Sequence, residues 1–252
     1  MCNGSIMDKL ISFSLPLMVS GILQLAFNAV DIIVVGRFSG SQALAAVGST
    51  TALINVFTNL FIGISLGANV LAARFYAAGK DREMSETVHT SITLALISGI
   101  MMAVIGVLLA KWALEIMGTP DDVIGQSALY MRIYFMGMPF FMLYNYGAAI
   151  LRAIGDTKRP LIFLIISGIA NAALNMILVI LFHMGVAGVA IGTIISQLIS
   201  CVLVLTCLYR SEGSYQLRFS KLKINGAYME QIFQVGVPAG IQSTVINLSN
   251  AL

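Results

Sequence analysis

The sequence predicts an all-helical membrane protein, and its composition and its apolar stretches support this fold class. Of the 252 residues, 58% are hydrophobic and 10% are charged, whereas an ordinary soluble domain has about 25% charged residues. A helix needs about 20 mostly apolar residues to cross a bilayer, and the chain has six such stretches and the beginning of a seventh. A soluble globular domain is therefore excluded.

The apolar stretches are separated by short segments rich in Gly, Pro and charged residues, which are typical of turns. The six predicted spans are residues 11–36, 43–73, 88–110, 126–151, 160–182 and 186–209, and a seventh begins near residue 230. Because the first span is long and contains polar side chains, we expect it to stay in the mature protein rather than act as a signal peptide.

The distribution of basic residues predicts the orientation in the membrane. The chain has 14 Lys and Arg against 11 Asp and Glu, a net charge of +3 that is too small and too dispersed for nucleic-acid binding. If the N-terminus is cytoplasmic, 11 of the 14 basic residues lie on the cytoplasmic side, and Arg37, Lys111 and Arg132 lie on the other. This bias predicts a multi-pass protein of the cell membrane with a cytoplasmic N-terminus.

Cofactor and metal chemistry is not predicted. Cys2, Cys201 and Cys207 lack metal-binding spacing, and the chain has no phosphate-binding glycine loop. His89 and His183 fall at the ends of two different spans, so we expect both at the membrane interface rather than in a metal or catalytic pair.

An internal repeat predicts a two-lobed protein. Pro16 and Pro238, 222 residues apart, end the similar tripeptides Ser-Leu-Pro and Gly-Val-Pro. Six spans separate them, so both copies enter the membrane in the same direction, as in parallel transporter repeats. We therefore predict that residues 1–223 form a six-helix lobe with its cytoplasmic loop. Residues 224–252 would begin a second lobe with a truncated seventh helix, so the rest of that lobe is an expected partner.

Polar residues form a stripe on the first span. Ser20, Gln24, Asn28 and Asp31 follow one another at steps of four, four and three residues, which places them on one helical face. The second, fifth and sixth spans carry comparable stripes of Asn, Ser, Thr and Gly. In a bilayer such faces turn toward a neighbouring helix or a water-filled cavity. Hydrogen bonding between helices explains most of these residues without a further function.

Asp31 differs from the other acidic residues because it lies well inside a span. A carboxylate at the bilayer centre costs about 2.5 to 3.5 kcal/mol on insertion scales, so such residues usually have a function. Either a proton or a small cation such as sodium can neutralise it, with Asn and Thr oxygens as further ligands in the second case. Pro16 lacks a backbone N–H and predicts a bend in the same helix, either a movable hinge or a static kink.

Four segments together resemble the multidrug and toxic compound extrusion (MATE) family, and the similarity runs from about residue 8 to the end. The resemblance implies two six-helix lobes that export cationic or amphiphilic compounds in exchange for protons or sodium. The segments are ISFSLPLM at 11–18, VDIIVVGRFSG at 30–40, LRAIGDTKRP at 151–160 and MGVAGVAIGT at 184–193.

The resemblance also implies an ion or proton site, made in the family by an Asp on the first helix, an Asn and an Asp on the fifth, and a Thr on the sixth. By position these are Asp31, Asn171, Asn175 and Thr193. The family's fifth-helix acid is thus Asn175 here, which leaves one negative charge and weakens a mechanism based on two carboxylates. The residues expected in a surrounding hydrogen-bond network are Tyr130, Asn145, Gln24 and Asn28.

The sequence therefore predicts a secondary antiporter for small organic cations that works by alternating access in the lipid bilayer, without a cofactor other than the coupling ion. A flippase for lipid-linked oligosaccharides is the alternative within transport, but Arg132 is the only basic residue inside a span to meet an anionic head group. An intramembrane enzyme would need paired catalytic groups, which are not seen. A channel or a scaffold explains the repeat and the single buried acid less well.

Overall fold

The structure, a computed structural model, describes residues 6–251, and within them it contains helices and no strands. The helices are connected by short turns, except for a longer loop before the last one. They are α1 (Ile6–Phe38), α2 (Gly40–Ala77), α3 (Asp81–Ile116), α4 (Asp121–Met136), α5 (Met138–Ala153), α6 (Lys158–Met176) with a π-helical continuation (Ile177–Leu181), α7 (Gly185–Arg210), a 3₁₀ turn (Phe219–Lys221) and α8 (Gly226–Ala251).

Helix length and composition confirm a multi-pass membrane fold. Among the described residues, five helices are long and apolar enough to cross a bilayer by themselves: α1, α2, α3, α6 with its continuation, and α7. Large apolar side chains lie exposed along these helices, for example Leu25 at 72% and Leu108 at 71% exposure. Such a continuous apolar surface fits lipid rather than water.

The fourth span was predicted as one continuous helix over residues 126–151, and the structure differs from this prediction. It consists of two helices of 16 residues, α4 and α5, on either side of Gly137. Pro139 explains the break because it has no N–H to donate to the carbonyl one turn earlier. Gly137 donates its N–H to the Tyr134 carbonyl at 3.0 Å in a tighter turn instead. Each half alone is too short to cross a bilayer.

Helix α8 packs along α2, and this is the most extensive contact between two helices. A Cβ atom on Gly63 would lie 2.1 Å from the Cα of Gly240, and one on Gly236 would lie 2.5 Å from the Cα of Ile64. Glycines spaced by four residues on both helices thus let the two backbones touch, as in close helix pairs within membranes. Pro238 lies inside α8 as Pro16 lies inside α1, in keeping with the predicted repeat. The division at residue 223 stays a prediction.

The two histidines lie in different surroundings, and their position at the membrane interface stays a prediction. His89 is buried within the protein, at 3% exposure. Its Nε2 accepts the Arg218 backbone N–H at 3.1 Å, and its Nδ1 therefore carries the proton and donates to the Ser85 carbonyl at 2.6 Å. These bonds hold the loop between α7 and α8 on α3. His183 is exposed in the turn before α7. Cys2 lies outside the described residues.

We predict that Gly63→Ala lowers the thermal unfolding midpoint in detergent by several degrees. The added methyl group meets the backbone of α8, and overpacking of this kind costs about 1–3 kcal/mol. Gly48→Ala on the same helix is the matched control, since its Cβ meets nothing within 4 Å. Equal midpoints for the two variants would contradict the close contact between α2 and α8.

Candidate ion-binding site

Three helices bring the predicted site residues to the same end of the lobe. Asp31 lies on α1, seven residues before the last residue of this helix, which corresponds to about 10 Å. Asn171 and Asn175 lie on α6, just before its π-helical continuation, and Thr193 lies on α7, eight residues after its first residue. Since α6 ends and α7 begins at this level, the four side chains meet.

A continuous chain of hydrogen bonds joins the four side chains. The Asn175 amide nitrogen Nδ2 donates to Asp31 Oδ1 and also to Asn171 Oδ1, at 3.3 Å in the second case. Asn171 Nδ2 donates to Thr193 Oγ1 at 3.4 Å, and the Thr193 hydroxyl donates to the Val189 carbonyl at 2.9 Å. The structure thus brings together all four residues predicted for the site.

Asn175 is the centre of this chain and is completely buried, at 0% exposure. An ionised carboxylate only accepts hydrogen bonds, so the amide turns Nδ2 toward Asp31. Its other atom, Oδ1, then faces Gly192, where a Cβ atom would lie only 2.2 Å away. Oδ1 is buried and has no hydrogen-bond partner among the described residues. Gly192 therefore makes the space that the Asn175 amide occupies.

A second glycine holds α1 against α6 close to Asp31. The ring of Phe27, one turn before Asp31, lies against Gly168, where a Cβ atom would be 2.0 Å from the ring. A larger residue at this position of α6 would push α1 away. The Asp31 side chain itself is half-buried, so the helices around it do not enclose it completely.

Aromatic and amide side chains of α4 and α7 lie next to the four-residue group. Tyr130 and Tyr134 are close enough to Asp31 for its charge to act on both phenols, and their ring centroids are 6.1 Å apart. Gln197 of α7 presents a buried carbonyl oxygen, Oε1, without a partner among the described residues. Tyr130 was predicted from the sequence and Tyr134 was not, although their spacing of four residues places both on one face of α4.

The other residues predicted for the network lie outside the hydrogen-bonded group. Asn145 donates to the Phe141 carbonyl of its own helix at 2.8 Å. Gln24 and Asn28 are exposed on α1, and among the described residues the structure gives them no hydrogen bond to Asp31. Pro16 is buried inside α1, where its carbonyl accepts the Ser20 hydroxyl at 2.8 Å. Its role as a hinge stays a prediction.

Comparison with known proteins identifies the family. Residues 16–177 match the family model described as MatE. The chain belongs to the MatE family. The resemblance drawn from the sequence motifs is thereby confirmed, and the chain corresponds to an N-terminal lobe.

Curated relatives of this MatE chain carry names that refer to drug resistance and export. The probable multidrug resistance protein YoeA of Bacillus subtilis is 34% identical in an alignment of 246 positions that covers 94% of this chain and 53% of that protein. The multidrug export protein MepA of Staphylococcus haemolyticus is 28% identical in an alignment of 257 positions that covers 98% of this chain and 56% of that protein. The chain thus spans about half the length of the curated relatives it matches.

Solved structures show the same fold. A crystal structure described as MATE in the bent conformation superposes with a TM-score of 0.90 at 22% identity, over 97% of this chain and 55% of that chain. A structure described as the outward-facing conformation of a MATE family transporter gives a TM-score of 0.88 at 22% identity, over 95% and 53%. The six-helix lobe with the first helix of a further lobe is therefore the established fold of this MatE chain.

We predict that Gly192→Ala destabilises the protein only when Asn175 is present. The added methyl group displaces the Asn175 amide and removes the donor to Asp31. In an Asn175→Ala background the space is free, so the same substitution should have little effect. Unfolding midpoints of the two single variants and the double variant form a double-mutant cycle, in which coupled neighbours differ from additivity by about 0.5–3 kcal/mol. Additive effects would show that Asn175 does not occupy the space at Gly192.

Proposed function

We propose that the chain is the N-terminal lobe of a secondary antiporter that exports cationic or amphiphilic organic compounds in exchange for protons or sodium. The observation that carries the proposal is the Asp31 carboxylate, held between apolar helices and bound by the buried amide of Asn175. A charged carboxylate inside the membrane costs free energy, so an acid in this position usually has a function, such as the binding of a proton or a cation. The names of the relatives support export of organic compounds by the whole protein.

The chemistry of Asn175 supports coupling to protons. An amide has a donor and an acceptor at its two ends. When Asp31 is ionised, Nδ2 donates to it and Oδ1 is left without a partner. When Asp31 is protonated, rotation of the amide by 180° lets Oδ1 accept the new O–H. Gly192 leaves room for either end of the amide, so one residue satisfies both protonation states of the single acid.

Sodium coupling would use the same atoms as ligands. Asp31 supplies a carboxylate, Asn171 and Asn175 supply amide oxygens, and Thr193 supplies a hydroxyl oxygen. Hard cations prefer oxygen ligands of this kind. Because Asn175 is uncharged, one sodium ion or one proton suffices to neutralise the group. The two ions are therefore expected to compete for one site.

The link from ion binding to movement runs through α1. This helix is the least buried of the five long helices. Asp31 joins α1 to α6 because its carboxylate accepts the hydrogen bond from Asn175. Neutralisation of Asp31 changes that bond and permits α1 to shift, with Pro16 as the place where the helix bends. Export follows if ion and substrate are bound in mutually exclusive states. A cytoplasmic N-terminus and a lobe boundary at residue 223 belong to this proposal.

We predict that Asp31→Asn abolishes the response of transport to the coupling ion. The test is efflux of a fluorescent organic cation from liposomes that contain the natural protein with both lobes. A proton gradient and a sodium gradient are imposed separately. One gradient should drive transport in the wild type and not in Asp31→Asn, because the variant cannot change charge. Asp122→Asn, in an exposed turn of α4, is the matched control and should behave as wild type.

Two results would contradict the proposal. If neither gradient drives efflux in the wild type, the protein is not an antiporter of this type, and a lipid-linked sugar becomes the substrate to test. If Asp31→Asn couples as well as wild type, the coupling site lies elsewhere, and the second lobe is the place to seek it.

A further inference from the structure

A basic hollow lies between the first turns of α3 and the loop that joins α7 to α8, far along the chain from Asp31. Its volume is about 990 Å³. We use the name basic hollow for this space. The polar residues that line it include Arg82, Ser85, His89, Lys221, Lys223 and Asn225. None of them takes part in the hydrogen-bond chain of the candidate ion site.

The loop side of the basic hollow is held in place by hydrogen bonds to α3. His89 accepts the Arg218 backbone N–H at 3.1 Å, and Thr90 Oγ1 accepts the Asn225 backbone N–H at 3.2 Å. Asn225 also donates from its side chain to Glu86 Oε2 at 2.9 Å. The two lysines between Arg218 and Asn225 are therefore presented by a segment fixed at both ends. Less entropy is lost when a fixed segment binds a ligand.

The basic hollow has an excess of positive charge. Glu86 is the acidic residue that lines it, and its oxygens already accept hydrogen bonds from Arg82 Nε at 3.0 Å and from Asn225. Lys221 and Lys223 form no ion pair within 4.0 Å among the described residues, although the charge of Lys223 acts on Glu86. Three basic side chains thus line the hollow against one carboxylate, and this excess of positive charge favours an anion.

Apolar residues next to the lysines place the loop at the membrane surface. Basic and apolar residues alternate from Lys221 to Ile224, and Arg218 and Phe219 precede them. A mixture of basic and apolar side chains is typical of a segment that lies in the membrane interface. Phe219 and Tyr209 are both more than half exposed, and they stack with ring centroids 5.8 Å apart. Exposed aromatic rings of this kind lie at the level of the lipid head groups.

We propose that the basic hollow binds the phosphate of an anionic phospholipid from the adjacent leaflet, with Lys221 and Lys223 as the groups that recognise it. Basic pockets between membrane helices bind such head groups. A soluble phosphate compound carries the same anionic group, but it has no acyl chains to contact the aromatic pair Tyr209 and Phe219 at the lipid surface. The proposal concerns the family's membrane fold and does not depend on the coupling mechanism at Asp31.

The test uses the natural protein in nanodiscs of phosphatidylcholine with increasing phosphatidylglycerol, followed by native mass spectrometry of the lipids that stay bound. Both leaflets have the same composition, so the orientation of the protein does not affect the result. Wild type should retain phosphatidylglycerol. The double variant Lys221→Gln/Lys223→Gln should bind it roughly 10- to 30-fold more weakly, since each basic residue near a lipid surface contributes about 1 kcal/mol.

Two control variants separate a specific site from general charge and from misfolding. Lys158→Gln/Arg210→Gln removes two exposed charges outside the basic hollow and should retain the lipid. Lys221→Arg/Lys223→Arg keeps the charge in the hollow and should also retain it. If the first control loses the lipid as strongly as the double variant, the binding is non-specific and the proposal is wrong.

Soluble anions distinguish the two sources of phosphate. Inorganic phosphate and glycerol phosphate are added to the detergent-solubilised protein at increasing concentration. Failure of both to displace phosphatidylglycerol at millimolar concentration supports a lipid site. Displacement at concentrations comparable to the lipid would show a site for soluble phosphate compounds and overturn the proposal.

Discussion

Close contacts at glycines determine where the helices of this lobe lie, and the polar groups follow from them. Lipid is as apolar as the side chains, so helices within a bilayer associate through close packing and hydrogen bonds rather than through the hydrophobic effect. Gly168 receives the ring of Phe27 and thereby holds α1 on α6. Gly192 receives the amide of Asn175, and Gly63 receives the backbone of α8. A Cβ atom at any of these positions would separate groups that the candidate site or the fold requires.

The hydrogen-bonded group at Asp31 shows how one charge is managed in an apolar environment. The neighbours of the carboxylate are amides and a hydroxyl, which both donate and accept hydrogen bonds, so the same side chains fit either a charged or a neutral Asp31. A second carboxylate at position 175 would have to be neutralised as well. With Asn175 in its place, Asp31 carries the only charge of the group. Asp31 belongs to α1, the least buried of the long helices.

The sequence predicts much of this lobe because bilayer length and polar stripes are local properties. It predicts the spans and the exceptional position of Asp31, and the family resemblance supplies Asn171, Asn175 and Thr193. It does not predict which polar residues meet. Gln24 and Asn28 share a stripe with Asp31 but are exposed, because only the last part of that stripe reaches α6. His89 is typical of an interface by position, yet its burial depends on the Arg218 backbone, 129 residues away in the chain.

The predicted repeat pairs α1 with α8, and these two helices are packed differently. With the shift of 222 residues, Gly236 and Gly240 of α8 correspond to Ser14 and Met18 of α1. The glycines allow α8 to touch the backbone of α2, whereas Met18, at the corresponding position of α1, is 65% exposed. Both helices contain a proline, so the proline alone does not decide which of them can move. The contacts of each helix do: glycines bring the backbone of α8 against α2, whereas α1 is held by Phe27, Asp31 and the buried side chains of Val34 and Val35 near its end.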